Sequence, residues 1–292
     1  MFDSNSENLG NKRIGFMLFD YFTYHVYKHV FSNIPGAEFI LGELRGSLLI
    51  DKKTEKQRVL GIKSLADFLE SRKLPYRIFD PSWPEKKLSN FFSGYEVLVS
   101  LWFTNTLFSD FLSETKKVRM LYGNAKDIWN FGLWSAFFDL VLSYGPYSQK
   151  HLEIYGNAKE IGNPRFDHWF GADMTEEDKK DLELIRSRID ARKKTILYLP
   201  THGELSSYEL FVKNCRPVIS ALSEEFNFII KPHYHLTTDI AGLDDKLKNL
   251  GVISFFDREL DPVNLFHFYR GARTGKYFSG GSGVALIRPR NQ

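Results

Sequence analysis

The chain has 292 residues but only one cysteine, Cys215. A single cysteine excludes an internal disulfide and a cysteine metal cluster, and its apolar helical surroundings favour a buried thiol over a nucleophile. The chain also lacks any run of about eighteen apolar residues and the basic, then apolar start of a signal peptide. We therefore expect a cytoplasmic protein that neither spans a membrane nor is exported by that route.

Strong charge of either sign is absent as well, since the formal net charge is +3. No stripe of Arg and Lys interleaved with aromatic residues follows the body of the chain, so nucleic acid is not an expected partner. Internal repeats and low-complexity segments are missing too. What the chain does have is 43% hydrophobic and 26% charged residues, which is typical of a globular protein.

Strand-like and helix-like segments alternate along the first part of the chain. The apolar patterns predict strands at 13–19, 37–42, 76–79, 95–101, 118–122 and 139–144, and helices at 21–31 and 62–74. Such alternation is typical of βαβ units, which build a mostly parallel sheet. We therefore predict the α/β class.

A charged helix that begins after Thr175, a suitable N-cap residue, indicates a domain boundary. Beyond it the rhythm restarts, with strands predicted at 195–200, 227–231, 252–256 and 276–279, and helices at 206–226, 238–249 and 261–271. The sequence thus predicts two Rossmann-like domains, residues 1–172 and residues 173–292.

Two strands of the second domain end at a proline that precedes a histidine. Residues 196–199 lead to Pro200 and His202, and residues 228–230 lead through Lys231 to His233. Ligands of open α/β sheets bind outside the carboxyl ends of the strands, so both loops are expected at a binding edge.

Five motifs, in this order, resemble the CDP-glycerol glycerophosphotransferase family. They occupy residues 118–123, 139–147, 161–167, 196–201 and 231–233, and the resemblance covers roughly residues 95–260. It implies the glycosyltransferase-B architecture, in which two Rossmann-like lobes face a cleft. It also implies a CDP-glycerol or CDP-ribitol donor and a polymer or lipid-linked acceptor of the teichoic-acid or capsule type. Such an acceptor would bring peripheral contact with the inner face of the cell membrane.

The resemblance also implies four candidate catalytic residues. His233 matches the histidine of the family's Lys-Pro-His motif in the donor site, and His202 lies where the family usually has an arginine. Tyr122 lies where members commonly carry a histidine that acts as the base, and Asp127 is a candidate substitute. A purely structural role in a loop or at a helix cap remains the alternative for each.

Substrate-binding candidates follow from chemistry that suits a diphosphate. Arg165 comes after an Asn-Pro turn and can pair with phosphate, the 206–207 hydroxyls precede a predicted helix, and the small residues near 280 suit a phosphate nest. The candidates are Lys231, Arg165, Gly123, Gly145, Thr201, Ser206, Ser207, Ser279, Gly280, Gly281 and Ser282. The family's usual acids near 280 are missing, and the second domain is expected to be incomplete.

Three functions stay open at this point. The first is polyol phosphate transfer from a CDP-linked donor, the second is a UDP-sugar glycosyltransferase or non-hydrolysing epimerase of the same fold, and the third is non-catalytic nucleotide binding. No histidine and carboxylate cluster has metal-ligand spacing, so no cofactor is expected beyond Mg²⁺ carried by substrate phosphates.

Overall fold

The computed structural model describes residues 13–43, 52–123, 130–170, 174–200, 216–233, 242–268, 274–279 and 282–287, with the backbone alone at 52–58, 169–170, 274–279 and 282–287. The chain divides into two compact units, Met1–Asp167 and His168–Gln292, which we call the first and the second unit.

A seven-stranded parallel sheet forms the first unit. Its strands are β1 Arg13–Met17, β2 Glu38–Leu41, β3 Tyr76–Ile78, β4 Tyr95–Ser100, β5 Lys116–Met120, β6 Leu140–Ser143 and β7 Ala158–Glu160. Their order is β3-β2-β1-β4-β5-β6-β7. The order reverses between β1 and β4, which is where open α/β sheets bind ligands. The predicted α/β class is confirmed, although the sequence patterns did not predict β7.

Helices cover both faces of this sheet. They are α1 Tyr21–Phe31, α2 Lys52–Ser71, α3 Glu85–Phe92 and α4 Pro146–Leu152. Helix α1 begins where the sequence predicts, because the Asp20 side chain accepts a hydrogen bond from the Thr23 backbone N–H at 2.7 Å.

Alternation along β1 shows why the sheet is buried on both faces. Phe16 and Leu18 belong to the core beneath α1 and α2, whereas Met17 and Phe19 belong to the core on the opposite face. Successive side chains of a strand point to opposite faces, so an unbroken apolar run is what a strand covered on both sides requires.

Gly42, directly after β2, lies against the ring of the buried residue Phe79. A Cβ on Gly42 would lie 2.3 Å from that ring. We expect Gly42→Ala to lower the free energy of unfolding by about 1–3 kcal/mol, because a ring packed in the core has little room to move. Gly123→Ala is the matched control, since a Cβ there meets nothing within 4 Å. Urea denaturation compares the two variants, and equal stabilities would contradict the prediction.

The sheet of the second unit is mixed rather than mostly parallel. Its strands are β8 Lys194–Leu199, β9 Phe226–Ile230, β10 Ile253–Ser254, β11 Thr274–Ser279 and β12 Ser282–Ile287. The order is β10-β9-β8-β12-β11. Strands β8, β9 and β10 are parallel, but β12 pairs antiparallel with both β8 and β11. Because so few residues separate β11 from β12, they can pair only as an antiparallel hairpin.

Three helices of this unit are α5 Glu176–Arg188, α6 Leu243–Lys248 and α7 Pro262–Phe268. The predicted cap of α5 is confirmed. The Thr175 hydroxyl accepts a hydrogen bond from the Asp178 N–H, and the Asp178 carboxylate accepts one from the Thr175 N–H. This reciprocal pattern is a capping box.

A buried polar network joins α5 to α7. The Asn264 amide donates to Asp178 at 3.0 Å and to Asp181 at 2.7 Å. Asp181 also accepts from the Asp261 backbone N–H at 2.9 Å. All four residues are at most 4% exposed. One neutral amide therefore supplies hydrogen bonds to two carboxylates that solvent does not reach.

Within the described parts of the chain, no helix has both the length and the apolar character needed to cross a membrane.

Candidate active site

Three aromatic rings meet beyond the carboxyl ends of strands in the first unit. Tyr122, just after β5, lies 4.8 Å from the ring of Phe22 and 4.8 Å from that of Trp102, which follows β4. Tyr122 is 9% exposed. The tyrosine that the resemblance places at the family's histidine position is therefore packed against aromatic rings at the carboxyl edge of the sheet.

Arg165 contacts the same aromatic group. Its guanidinium lies 5.3 Å from the centroid of the Phe22 ring, so the structure brings Arg165 and Tyr122 to one neighbourhood. Nearby, the Tyr144 hydroxyl donates to the Leu121 carbonyl at 2.6 Å. Burial raises the pKa of Tyr144, and the positive charges of Arg165 and Arg119 act against that shift.

Gly123 and Gly145, the two glycines predicted to bind substrate in the first unit, make different backbone contacts. The Gly123 carbonyl accepts a hydrogen bond from the Asn130 side chain, which joins it to the segment before β6. Gly145 precedes α4 with an extended φ of 169°, and a Cβ there would meet nothing within 4 Å. Neither glycine has a left-handed backbone, and open space lies beside both.

Arg119 on β5 is a buried cation that the sequence analysis did not single out. It is 1% exposed, and its guanidinium donates to the Asn130 carbonyl at 2.9 Å and the Ser135 hydroxyl at 2.6 Å. Burial lowers the pKa of this guanidinium to about 10. The signal in the sequence is one charged residue inside the apolar strand 118–122, where a side chain facing the core is otherwise expected.

Glu43, two residues after β2, was also missed. It is 8% exposed and accepts a hydrogen bond from the hydroxyl of Thr106, which lies in the loop after β4. Strand β1 lies between β2 and β4 in the sheet, so this bond crosses the end of β1. It joins the loops that follow the two strands on either side of β1.

In the second unit, Lys231 directly follows β9 and carries a buried ion pair. Its ammonium lies 2.9 Å from an Asp257 carboxylate oxygen and donates to the Pro232 carbonyl at 2.7 Å. The side chains of Lys231 and Asp257 are 8% and 6% exposed. Asp257 follows β10, so the pair joins the loops beyond two neighbouring parallel strands.

His233 lies two residues beyond Lys231 and is half-buried. It is therefore at the carboxyl end of β9, as the sequence predicts. Asp257 was missed because nothing near it in the sequence marks it as the partner of a lysine that precedes it by 26 residues.

The remaining predicted site residues are not placed by side-chain geometry. Asp127, Thr201, His202, Ser206, Ser207, Gly280 and Gly281 lie outside the described residues. Ser279 and Ser282 face each other in the register of β11 and β12, where the backbone alone is described. Ser279 is therefore the last residue of β11, and Ser282 is the first residue of β12.

Comparison with solved structures shows the fold. A UDP-GlcNAc 2-epimerase from Neisseria meningitidis, bound to UDP-GlcNAc, is 13% identical with a TM-score of 0.53, over 88% of this chain and 75% of that chain. This likeness confirms the predicted α/β fold. A dipicolinate synthase from Bacillus halodurans is 9% identical with a TM-score of 0.22, over 86% of this chain and 69% of that chain, which is too distant to support an argument.

Comparison with known sequences shows the family. No curated protein sequence matches the chain. The family model described as CDP-Glycerol:Poly(glycerophosphate) glycerophosphotransferase matches residues 52–266, well over half of the 292 residues. The match includes β9 and the Lys231-Pro232-His233 segment beyond it. The chain therefore belongs to the CDP-glycerol:poly(glycerophosphate) glycerophosphotransferase family.

Proposed function

We propose that this protein transfers a polyol phosphate, such as glycerol phosphate, from a CDP-linked donor to a hydroxyl group of a cell-surface polymer. The observation that carries the proposal is the family match over residues 52–266. The placement of Lys231 and His233 beyond the carboxyl end of β9 supports it, because that end of a parallel strand is where α/β enzymes bind ligands.

The reaction has one bond to form and one to break. The acceptor oxygen bonds to the phosphorus that carries the polyol, the bond from that phosphorus to the bridging oxygen breaks, and CMP leaves with the electron pair. The acceptor proton passes to a base, for which Tyr122 and Asp127 are the candidates in this sequence. Charge develops on phosphate oxygens, so positioned N–H donors that stabilise this charge lower the barrier.

His233 is the donor that we assign to those oxygens. An imidazole N–H can donate in either protonation state, which suits a group that must follow developing negative charge. The Lys231 ammonium has three N–H groups, and two of them are directed at Asp257 and Pro232. We assign Arg165 to the pairing of donor or acceptor phosphate in the first unit.

The two units receive different substrates in this proposal. We assign the acceptor to the first unit and the nucleotide donor to the second, where Thr201, Ser206, Ser207 and residues 279–282 would add hydroxyl and backbone donors. The acceptor would be a lipid-linked polymer of the teichoic-acid or capsule type, reached at the inner face of the cell membrane. No resident cofactor takes part, and Mg²⁺ would arrive with the substrate phosphates.

A donor panel tests the proposal. Purified protein is given CDP-glycerol, CDP-ribitol or UDP-GlcNAc, each with and without a poly(glycerol phosphate) acceptor, and release of the nucleotide product is followed. We expect saturable CMP release that depends on the acceptor and on one of the two CDP donors. A parallel series with EDTA is expected to reduce the rate, with recovery on addition of Mg²⁺.

Other results of the donor panel would favour one of the two alternative functions. Turnover of UDP-GlcNAc without CMP release from either CDP donor would favour an epimerase or a sugar transferase, an alternative that the fold shared with the Neisseria enzyme supports. Saturable CMP binding without turnover of any donor would favour a non-catalytic nucleotide-binding protein. Either result would overturn the proposed transfer.

A further inference from the structure

The Lys231 ammonium holds the peptide bond that leads to His233. Its hydrogen bond at 2.7 Å ends on the Pro232 carbonyl, which belongs to the same peptide unit as the His233 N–H. The backbone N–H of Lys231 is fixed from the other side, because it donates to the Tyr198 carbonyl of β8 at 3.1 Å. The orientation of the chain entering His233 therefore depends on where the ammonium lies.

Asp257 determines where the ammonium lies. Its carboxylate is the one charged partner of Lys231 in the described residues, at 2.9 Å, and both side chains are more than nine-tenths buried. The charges neutralise each other, so the pair attracts a diphosphate less than a free lysine would. A buried pair with a further hydrogen bond to a carbonyl suits the fixing of a loop better than the capture of an anion.

The turn that carries Asp257 is itself fixed. The Phe256 N–H donates to the Glu259 carboxylate at 3.0 Å, and Glu259 pairs with Arg188 of α5 at 2.6 Å. Arg188 also donates to the Ser254 carbonyl at the end of β10, at 2.8 Å. Phe255 and Phe256, which precede Asp257, are buried in the core of this unit. The turn that carries Asp257 is therefore held by hydrogen bonds to Glu259 and Arg188 and by the buried phenylalanines before it.

We propose that Asp257 is a positioning residue of the donor site, acting through the Lys231 ammonium and the Pro232 carbonyl to orient His233. The inference rests on the proposed function, because it takes the donor to bind beside His233. Asp257 does not touch the substrate in this scheme. Its loss should change the position of His233, and with it the stabilisation of charge on the phosphate oxygens during transfer, more than the binding of the donor.

Asp257→Asn is the informative substitution, because it keeps the shape of the side chain and removes its charge. Misplacement of a charge-stabilising group by about 1 Å can cost roughly 100-fold, and we expect a fall of about 10- to 100-fold in kcat with the CDP donor and a smaller change in its KM. Glu176→Gln is the matched control, since it makes the same chemical change in an exposed pair with Lys179. We expect the control to match the unmodified protein.

A second measurement does not require turnover. In protein labelled with ¹⁵N-histidine, the ring resonances of His233 should shift in Asp257→Asn, while those of the exposed His151 in the first unit should not. If no CDP donor is turned over, the proposed function fails and these resonances still decide the inference. Unchanged His233 resonances, or an unchanged kcat where there is turnover, would overturn it.

A double variant tests the inference even if Asp257→Asn fails to fold. Lys231→Met combined with Asp257→Leu replaces the pair by apolar side chains, which often restores stability because no charge stays buried. We expect the double variant to melt near the temperature of the unmodified protein and yet to show displaced His233 resonances. A double variant that folds with the original His233 resonances would show that the pair contributes only stability.

Discussion

Replacing His233 with alanine is expected to lower the rate of transfer from the CDP donor by about 100- to 1000-fold. The reason is the loss of the N–H donor that we propose for the phosphate oxygens, where one such group contributes a factor of this size. His233 is half-buried in a loop after β9, so the variant should keep the melting temperature within a few degrees. Initial rates of CMP release at saturating acceptor measure the effect.

Two further variants separate the roles of His233. His233→Asn keeps an N–H donor but cannot take up a proton near neutral pH, so it should recover part of the lost rate if the side chain acts only by hydrogen bonding. His151→Ala removes an exposed histidine from the first unit and should transfer at the normal rate. A normal rate in His233→Ala would remove His233 from the donor site and leave the Lys-Pro-His segment with a structural role.

The placement of Lys231 and His233 could be predicted because its causes are local. An apolar run of strand length before a proline predicts the strand, and β9 ends at Ile230, one residue before the predicted end at Lys231. The cap of α5 at Thr175 was predictable for the same reason, since the whole capping box lies within four residues.

The partners of these residues could not be predicted, because they depend on contacts between distant parts of the chain. Asp257 contacts Lys231 only because β10 pairs with β9, and no pattern around Asp257 indicates that pairing. The place of β12 between β8 and β11 has a similar cause. Apolar alternation predicts a strand but does not say which edge it joins or in which direction.

Asn264→Asp is expected to lower the free energy of unfolding of the second unit by about 3–5 kcal/mol at neutral pH. The substitution removes a neutral amide that donates to Asp178 and Asp181 and puts a third carboxylate against them. Burial without a donor is costly for a charged group, and the two neighbours add repulsion of like charge. Urea denaturation, monitored by circular dichroism, measures the loss of stability.

The pH dependence separates repulsion from the loss of hydrogen bonds. Burial and two like charges should raise the pKa of the new carboxyl group above its unfolded value of about 3.9. A group with a raised pKa in the folded state contributes stability that is fully present below the unfolded pKa and is lost as pH rises through the folded pKa. The deficit of Asn264→Asp should therefore be much smaller at about pH 4.5 than at pH 7.

Two comparisons make the result specific to this network. Asn249→Asp makes the same chemical change at the exposed end of α6 and should cost at most a few tenths of a kcal/mol at either pH. Asn264→Leu removes the two hydrogen bonds without adding a titratable group, so its deficit should depend far less on pH. If Asn264→Asp and Asn264→Leu lost stability equally at both pH values, repulsion would play no part, and Asp178 and Asp181 would have to share a proton already. The amide would then serve only as a hydrogen-bond donor, and the join between α5 and α7 would not depend on keeping that position uncharged.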